Sequence, residues 1–415
     1  MRGRSRTGSS CPSSSETGWR GESSPPWTIC FTEESRSRRL RRIGSGSLKK
    51  KGGNKGHETF PDMKTHTEAG GIIMRKLFLF LVAVPFLTGS LASMDIQNAG
   101  AQSIELKMAH FMSPMHVQHR KSFEPYAKKV EELTGGKVII KLFPGGALGG
   151  PTQLPDTVKS GITDIAFIIP SYSTGRFLRI SALDLPFVVN SAVHATQVIY
   201  DVYDKYFAED FKDYKVLWLY SCGPGQIHSA TKPIQKLEDL QGTKMRSPSA
   251  YMSKAFTLMG SNPVSMPISE LTVSLQKGVI DGMLTPFSAL ADFRLFDLVK
   301  YITEVDFYVS PMAVVMNKEK FNSLPESARK ALEEAGGKQW GLHAAKAYDE
   351  HDQDSVQEAN KQGKIKIVKI TGPELQKFKD RVKPMDAEWV KETSQKGVRA
   401  KEVLDAVRGS AERNK

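Results

Sequence analysis

Side chains able to do chemistry are few in this 415-residue chain, and most are weakly patterned. His110, His116 and His119 are closely spaced, but no HExxH or Cys-paired spacing accompanies them, so a metal ion there is the lesser reading and the metal question stays open. Gly145-Gly146-Ala147-Leu148-Gly149-Gly150 lacks the Gly-Lys-Ser/Thr ending of a phosphate-cradling loop and reads as a surface loop. No Gly-x-Ser-x-Gly elbow occurs, and Cys222 has no recognisable His partner motif, which leaves nucleophilic catalysis without support. Arg246 stands at the end of a strand entered through Gly242. A guanidinium can donate two parallel hydrogen bonds to a carboxylate. By spacing alone, however, such an arginine reads first as the partner of a surface acid. The balance favours a binding protein over an enzyme, with no cofactor implied.

Composition divides the chain in three. The whole carries +13, but residues 1–73 hold 14 basic and 7 acidic residues together with 12 Ser and 11 Gly, and show almost no apolar periodicity. This stretch reads as a disordered basic tail upstream of a start at Met74. Met74-Arg75-Lys76, the apolar run Leu77 to Leu87 and Ala99-Gly100-Ala101 then follow the order of a secretory signal peptide over residues 74–101, with export to a periplasm as the consequence. The 11-residue run is too short for a stable bilayer span. From Gln102 onward 42 basic residues face 37 acidic ones, a net of +5, so the case for a nucleic-acid partner rests on the tail alone. Cys222 is the one cysteine beyond the tail, and no intramolecular disulfide is available to it.

The elements that must position any site alternate in type. Ile104 to Met108 alternates like a strand, and Phe123, Ala127, Val130 and Leu133 fall at helical spacing before Gly135-Gly136. Val138 to Phe143 reads as a strand, Leu154 and Val158 as a short helix ending at Gly161, and Ile165 to Ile169 as a buried strand. This order argues for a parallel α/β sheet. A helix end, Gly, two residues and Asp recur at 157–164 and 274–281, which suggests two lobes of similar construction. Beyond Pro311 the pattern is mostly helical, with a long charged stretch from Trp340 to Gln362 and amphipathic sequence from Gly372 to Arg413.

Several motifs, in order, carry a resemblance over about residues 104 to 340. They are Thr134-Gly135-Gly136-Lys137-Val138, Gly146-Ala147-Leu148-Gly149, Gly161 to Asp164, Leu185-Pro186-Phe187, and Asp239-Leu240 through Gly242 and Lys244 to Arg246. Gly260 to Pro267 and Glu270 to Gly282 complete the set. The chain resembles the DctP-like solute receptors of tripartite ATP-independent periplasmic (TRAP) transporters.

That resemblance implies a two-lobed α/β periplasmic-binding fold with mixed sheets flanked by helices, a ligand cleft between lobes and a long lobe-spanning helix. Lobe I would take residues 102–223 with about 311–350, and lobe II 224–310 with about 351–415. Arg246 would pair with the ligand carboxylate. Gln226 stands where sialic-acid-binding members carry a second arginine and Thr285 where they carry asparagine, which implies a monocarboxylate rather than sialic acid. His228 is either a further donor or a surface histidine. Tyr172 lies at the carboxyl edge of a sheet, where α/β ligands gather. Ile268 and Phe287 would be apolar walls of the cleft or plain core. The implied partners are a small organic carboxylate and the TRAP membrane subunits, and the implied action is hinge closure without chemistry. A periplasmic sensor, or a receptor of another transporter class with this fold, is the alternative.

Overall fold

The computed structural model describes residues 103–415. The basic tail, the signal peptide, Cys11 and Cys30 lie outside the described residues.

Eleven strands build two sheets among these residues. The first four are β1 (Ile104–Ala109), β2 (Val138–Phe143), β3 (Ile165–Ile168) and β4 (Tyr214–Ser221). Then come β5 (Gln226–Ser229), β6 (Lys244–Ser247), β7 (Asn262–Ser265), β8 (Gly282–Thr285) and β9 (Tyr301–Glu304). β10 (Pro311–Asn317) and β11 (Lys366–Lys369) close the series. One sheet has the order β2-β1-β3-β10-β4 and the other β11-β9-β5-β8-β6-β7. Both are mixed: β1 runs parallel to β2 and β3 while β10 opposes β3 and β4, and β6 runs parallel to β7 and β8 while β5 opposes β8 and β9. This is the expected two-lobed α/β fold.

The short repeat is real in three dimensions. Gly161 and Gly278 each end a helical turn at positive φ, 78° and 65°. Asp164 then accepts a hydrogen bond from the Lys107 amide at 2.7 Å, and Asp281 accepts from the Lys244 amide at 2.8 Å. Each aspartate thus ties the strand it precedes to its parallel neighbour. Without a side-chain acceptor there, a strand-end N–H would depend on water.

The chain leaves the first sheet after β4, builds β5 to β9, and returns as β10. The outgoing and returning segments are hydrogen-bonded to each other. Gly225 N donates to Tyr308 O at 2.7 Å, and Phe307 N donates to Gly225 O at 2.9 Å. A third passage is the 26-residue helix Gly337–Gln362, ended by Gly363 at φ 64°. Along it, Asp349 accepts from the amides of Ala192 and Val193, capping the helix Ala192–Val202, while Asp352 accepts from Ser288 N on the side of the second sheet. Two carboxylates one turn apart therefore tie this helix to elements of both halves.

The C-terminal segment does not go with one sheet. Pro384 and Gly397 split the expected amphipathic stretch into the helices Gly372–Val382, Pro384–Ser394 and Ala400–Arg413. Glu374 accepts from Leu237 N, just before β6. Trp389 Nε1, by contrast, donates to Ser181 Oγ at 2.9 Å, and Ser410 Oγ donates to Asp201 Oδ2 at 2.7 Å. Residues 372–415 thus make hydrogen bonds on the sides of both sheets. The last helix turns Val403, Val407 and Ala411 inward and packs beside Ala192–Val202, next to the first sheet.

Candidate ligand site

A cavity lies where loops from the ends of both sheets meet. Arg246, in β6, is 1% exposed and lines it. Its three nearest partners are all neutral. Nε donates to Met266 O at 3.0 Å, Nη1 to Leu284 O at 3.1 Å and Nη2 to Tyr172 Oη at 3.2 Å. A guanidinium has five N–H donors, so one remains on each terminal nitrogen. No carboxylate among the described residues pairs with it, and a buried cation without a counter-ion is costly. The surface-acid partner that spacing alone suggested is absent from the described residues.

Tyr172 follows β3 and comes from the first-sheet side. Its hydroxyl accepts from Arg246 Nη2 and from Ile268 N at 3.1 Å, which leaves its own proton for another acceptor. Ile268 lines the cavity as an apolar wall. Thr285 lines it too, with an Oγ1 that is buried and has no hydrogen-bond partner. Phe111, Phe167, Phe293, Tyr308 and Tyr348 give the lining an aromatic share, beside the aliphatic Met112, Ile169 and Met312.

Three expected site residues are not brought to the cavity. Gln226 is saturated by the returning crossover segment. Its Oε1 accepts from Val305 N at 2.7 Å and Asp306 N at 3.0 Å, and its Nε2 donates to Asp306 Oδ1 at 2.7 Å. His228 is fully buried between β8 and β9, with Nε2 at 3.0 Å from Thr285 O, and burial drives its imidazole down to about 4. It is neither a surface histidine nor a cavity donor. Phe287 packs edge-on against His228 in the smaller core formed with Leu271, Met283 and Leu290.

Of the three clustered histidines, His110 and His119 bond each other at 2.9 Å, and only His116 reaches the cavity. No group of His, Cys, Asp or Glu suited to a metal ion occurs among the described residues. Cys222 also lines the cavity, but burial pushes its thiol up to about 12, so it is an unreactive neutral wall there. Besides the aromatic wall, sequence reasoning missed His116 and Asp292, which no local motif connects.

Next to the Tyr172 loop lies a buried acid. Asp184 is 1% exposed and accepts from Ser171 Oγ at 2.8 Å. Burial lifts its carboxyl from 3.8 to about 7, against the pull of the Ser171 hydrogen bond. Because the folded value lies above the unfolded one, the stability it contributes is complete below the unfolded pKa and is lost as pH rises through about 7. Asp184→Asn keeps an acceptor for Ser171 and stays neutral throughout. It is expected to raise the melting temperature more at pH 8 than at pH 5; an equal shift at both, measured by thermal unfolding, would refute this.

Comparison with known proteins places the chain. Residues 108–393 match the family model of bacterial extracellular solute-binding protein, family 7, named DctP. A solved TRAP solute binding protein from a marine metagenome, specific for aromatic acid ligands and in complex with metahydroxyphenylacetate, is 30% identical. That match covers 75% of this chain and 99% of the other, at a TM-score of 0.73. The TRAP solute binding protein of Rhodoferax ferrireducens T118, with copurified benzoate, is 29% identical over 75% of this chain and 98% of its own, also at 0.73. The 2,3-diketo-L-gulonate-binding periplasmic protein of Escherichia coli K12 is 26% identical over 68% of this chain and 85% of its own. No helix among the described residues is long and apolar enough to cross a membrane. The chain belongs to the DctP family of solute-binding proteins, the receptors of TRAP transporters.

Proposed function

We propose that this chain is a periplasmic receptor for a small organic monocarboxylate, aromatic in its body, which it hands to the membrane subunits of a TRAP transporter for ion-gradient-driven uptake. The observation that carries the reading is Arg246: a buried guanidinium with two free N–H groups and only neutral partners, on the wall of a cavity lined in part by aromatic rings. A carboxylate accepting both N–H groups would supply the missing counter-charge in a setting from which water is excluded. Tyr172 and Thr285 offer further hydroxyl donors. Among the described residues no second Lys or Arg lines the cavity, which favours one carboxylate over two. The aromatic lining, and the aromatic acids bound by two relatives, favour an aromatic body over a polyol. The lobes would be residues 102–223 with about 311–350, and 224–310 with β11 and the end of the long helix. A ligand touching Tyr172 on one side and Arg246 on the other favours their closed arrangement.

Thermal unfolding with benzoate, its 3- and 4-hydroxy derivatives and the neutral isostere benzamide tests this. A ligand at roughly a hundredfold over its Kd adds about 2.7 kcal/mol to the folded state. The acids are expected to raise the melting temperature and benzamide to leave it unchanged. Equal shifts from benzoate and benzamide, or no shift from any acid, would overturn the reading.

A further inference from the structure

Asp292 and His116 lie on the wall of the cavity that Arg246 lines. Asp292 ends the short helix Ala289–Asp292 on the second-sheet side, and His116 follows β1 on the other. The Asp292 side chain is 3% exposed. Its Oδ1 accepts from Val117 N at 3.0 Å and has His351 Nε2 at 3.4 Å, while Oδ2 faces His116 Nε2 at 3.3 Å. The Gln118 amide donates to His116 Nδ1 at 3.1 Å, so Nδ1 is the acceptor and Nε2 carries the proton that points at Asp292. Burial holds that imidazole down at about 4, neutral at pH 7, so His116 orients the carboxylate without cancelling its charge. A carboxylate offers roughly four acceptor positions, and two N–H groups, of Val117 and His116, point at this one, with the His351 Nε2 nitrogen near it.

We propose that Asp292 is a specificity-determining residue: it accepts a hydrogen bond from a ligand hydroxyl and turns away ligands carrying a second carboxylate. The inference rests on Arg246 as the carboxylate anchor. One cavity then holds a cation and an anion at separate places on its wall, and complementary charge selects partners as much by what it repels as by what it attracts. A hydroxy acid presents an anion to Arg246 and a donor to Asp292. A dicarboxylate sets an anion against Asp292 in a site with little water to screen it.

Calorimetric titration of the wild type, Asp292→Ala and Asp292→Asn with benzoate, 3- and 4-hydroxybenzoate and isophthalate tests the proposal. In the wild type, one hydroxybenzoate is expected to bind roughly 10-fold or more tighter than benzoate, since a hydrogen bond to a charged group has that worth. Asp292→Ala should bring that ratio close to one. Any loosening of the clasp with His116 and Val117 weakens both acids alike and cancels in the ratio. The isosteric Asp292→Asn should narrow the gap between benzoate and isophthalate. Neither hydroxy acid surpassing benzoate, or a ratio unchanged in Asp292→Ala, would overturn the proposal while leaving Arg246 as anchor. Failure of every acid to bind would remove both.

Discussion

Arg246→Ala is expected to weaken carboxylate binding by roughly 30-fold or more while leaving a cooperatively folded protein. Removing one partner of a buried, hydrogen-bonded charge pair costs about 2–5 kcal/mol, and each 1.4 kcal/mol is about tenfold in Kd. The fold survives because two effects oppose. Three hydrogen bonds to neutral acceptors disappear, and so does a cation buried without a counter-ion. The melting temperature without ligand should therefore shift by no more than a few degrees. Arg246→Lys is not expected to rescue binding, because an ammonium lacks the planar fork and cannot reach Met266 O, Leu284 O and a ligand together. Calorimetry showing unchanged affinity in Arg246→Ala would remove the site assignment.

Gly341→Ala is expected to cost about 3 kcal/mol, which for a domain of this size lowers the melting temperature by roughly 4–5 °C. The long helix begins so close to β4 that a methyl group at 341 would fall inside contact distance of Leu219 O and 2.9 Å from Tyr200 Oη. Leu219 O is backbone and cannot rotate aside. Tyr200 Oη is held in place by accepting from Leu219 N at 3.0 Å. Gly409→Ala is the matched control in a different helix. Its added carbon would meet only the end of Arg413 at 3.5 Å, so the gain in helix propensity, about 1 kcal/mol at most, should prevail. Thermal unfolding giving both substitutions the same sign would show that close approach is not what requires Gly341.

The two-lobed fold was legible because its signals are local. Gly161 and Gly278 end helices at positive φ, and Asp164 and Asp281 bind strand amides next to them, so the repeat could be read from eight residues at a time. Arg246, Tyr172, Thr285 and Ile268, which line the cavity, each sit in or beside a recognisable motif at a sheet edge. Gln226 and His228 misled for the same reason. They occupy positions of the right kind in β5, but partners 80 and 57 residues away decide where their polar atoms point: Asp306 for Gln226 and Thr285 for His228. The cluster of His116, Asp292 and His351 had no joint sequence signal, since His116 follows β1, Asp292 follows β8 and His351 sits on the long helix, and only the assembled fold brings them together. The splitting of the C-terminal segment between the two sheets was equally hidden, because an amphipathic stripe says that a helix is covered and not by what.

The Tyr172 hydroxyl has a kinetic consequence. It holds Arg246 Nη2 and Ile268 N at once, from the opposite side of the cavity, and the guanidinium behind it is 1% exposed. In the proposed binding mode a carboxylate would have to pass those bonds to reach Arg246 or to leave it. Entry and exit therefore wait on the same opening event, a hinge-type motion of microseconds to milliseconds. As solute becomes plentiful, the capture rate levels off at the opening rate instead of climbing with concentration. On the proposed function release would be gated likewise, so a strongly held cargo and a weakly held one would depart through the same step, and whatever pries Tyr172 away from Arg246 would govern the moment of delivery.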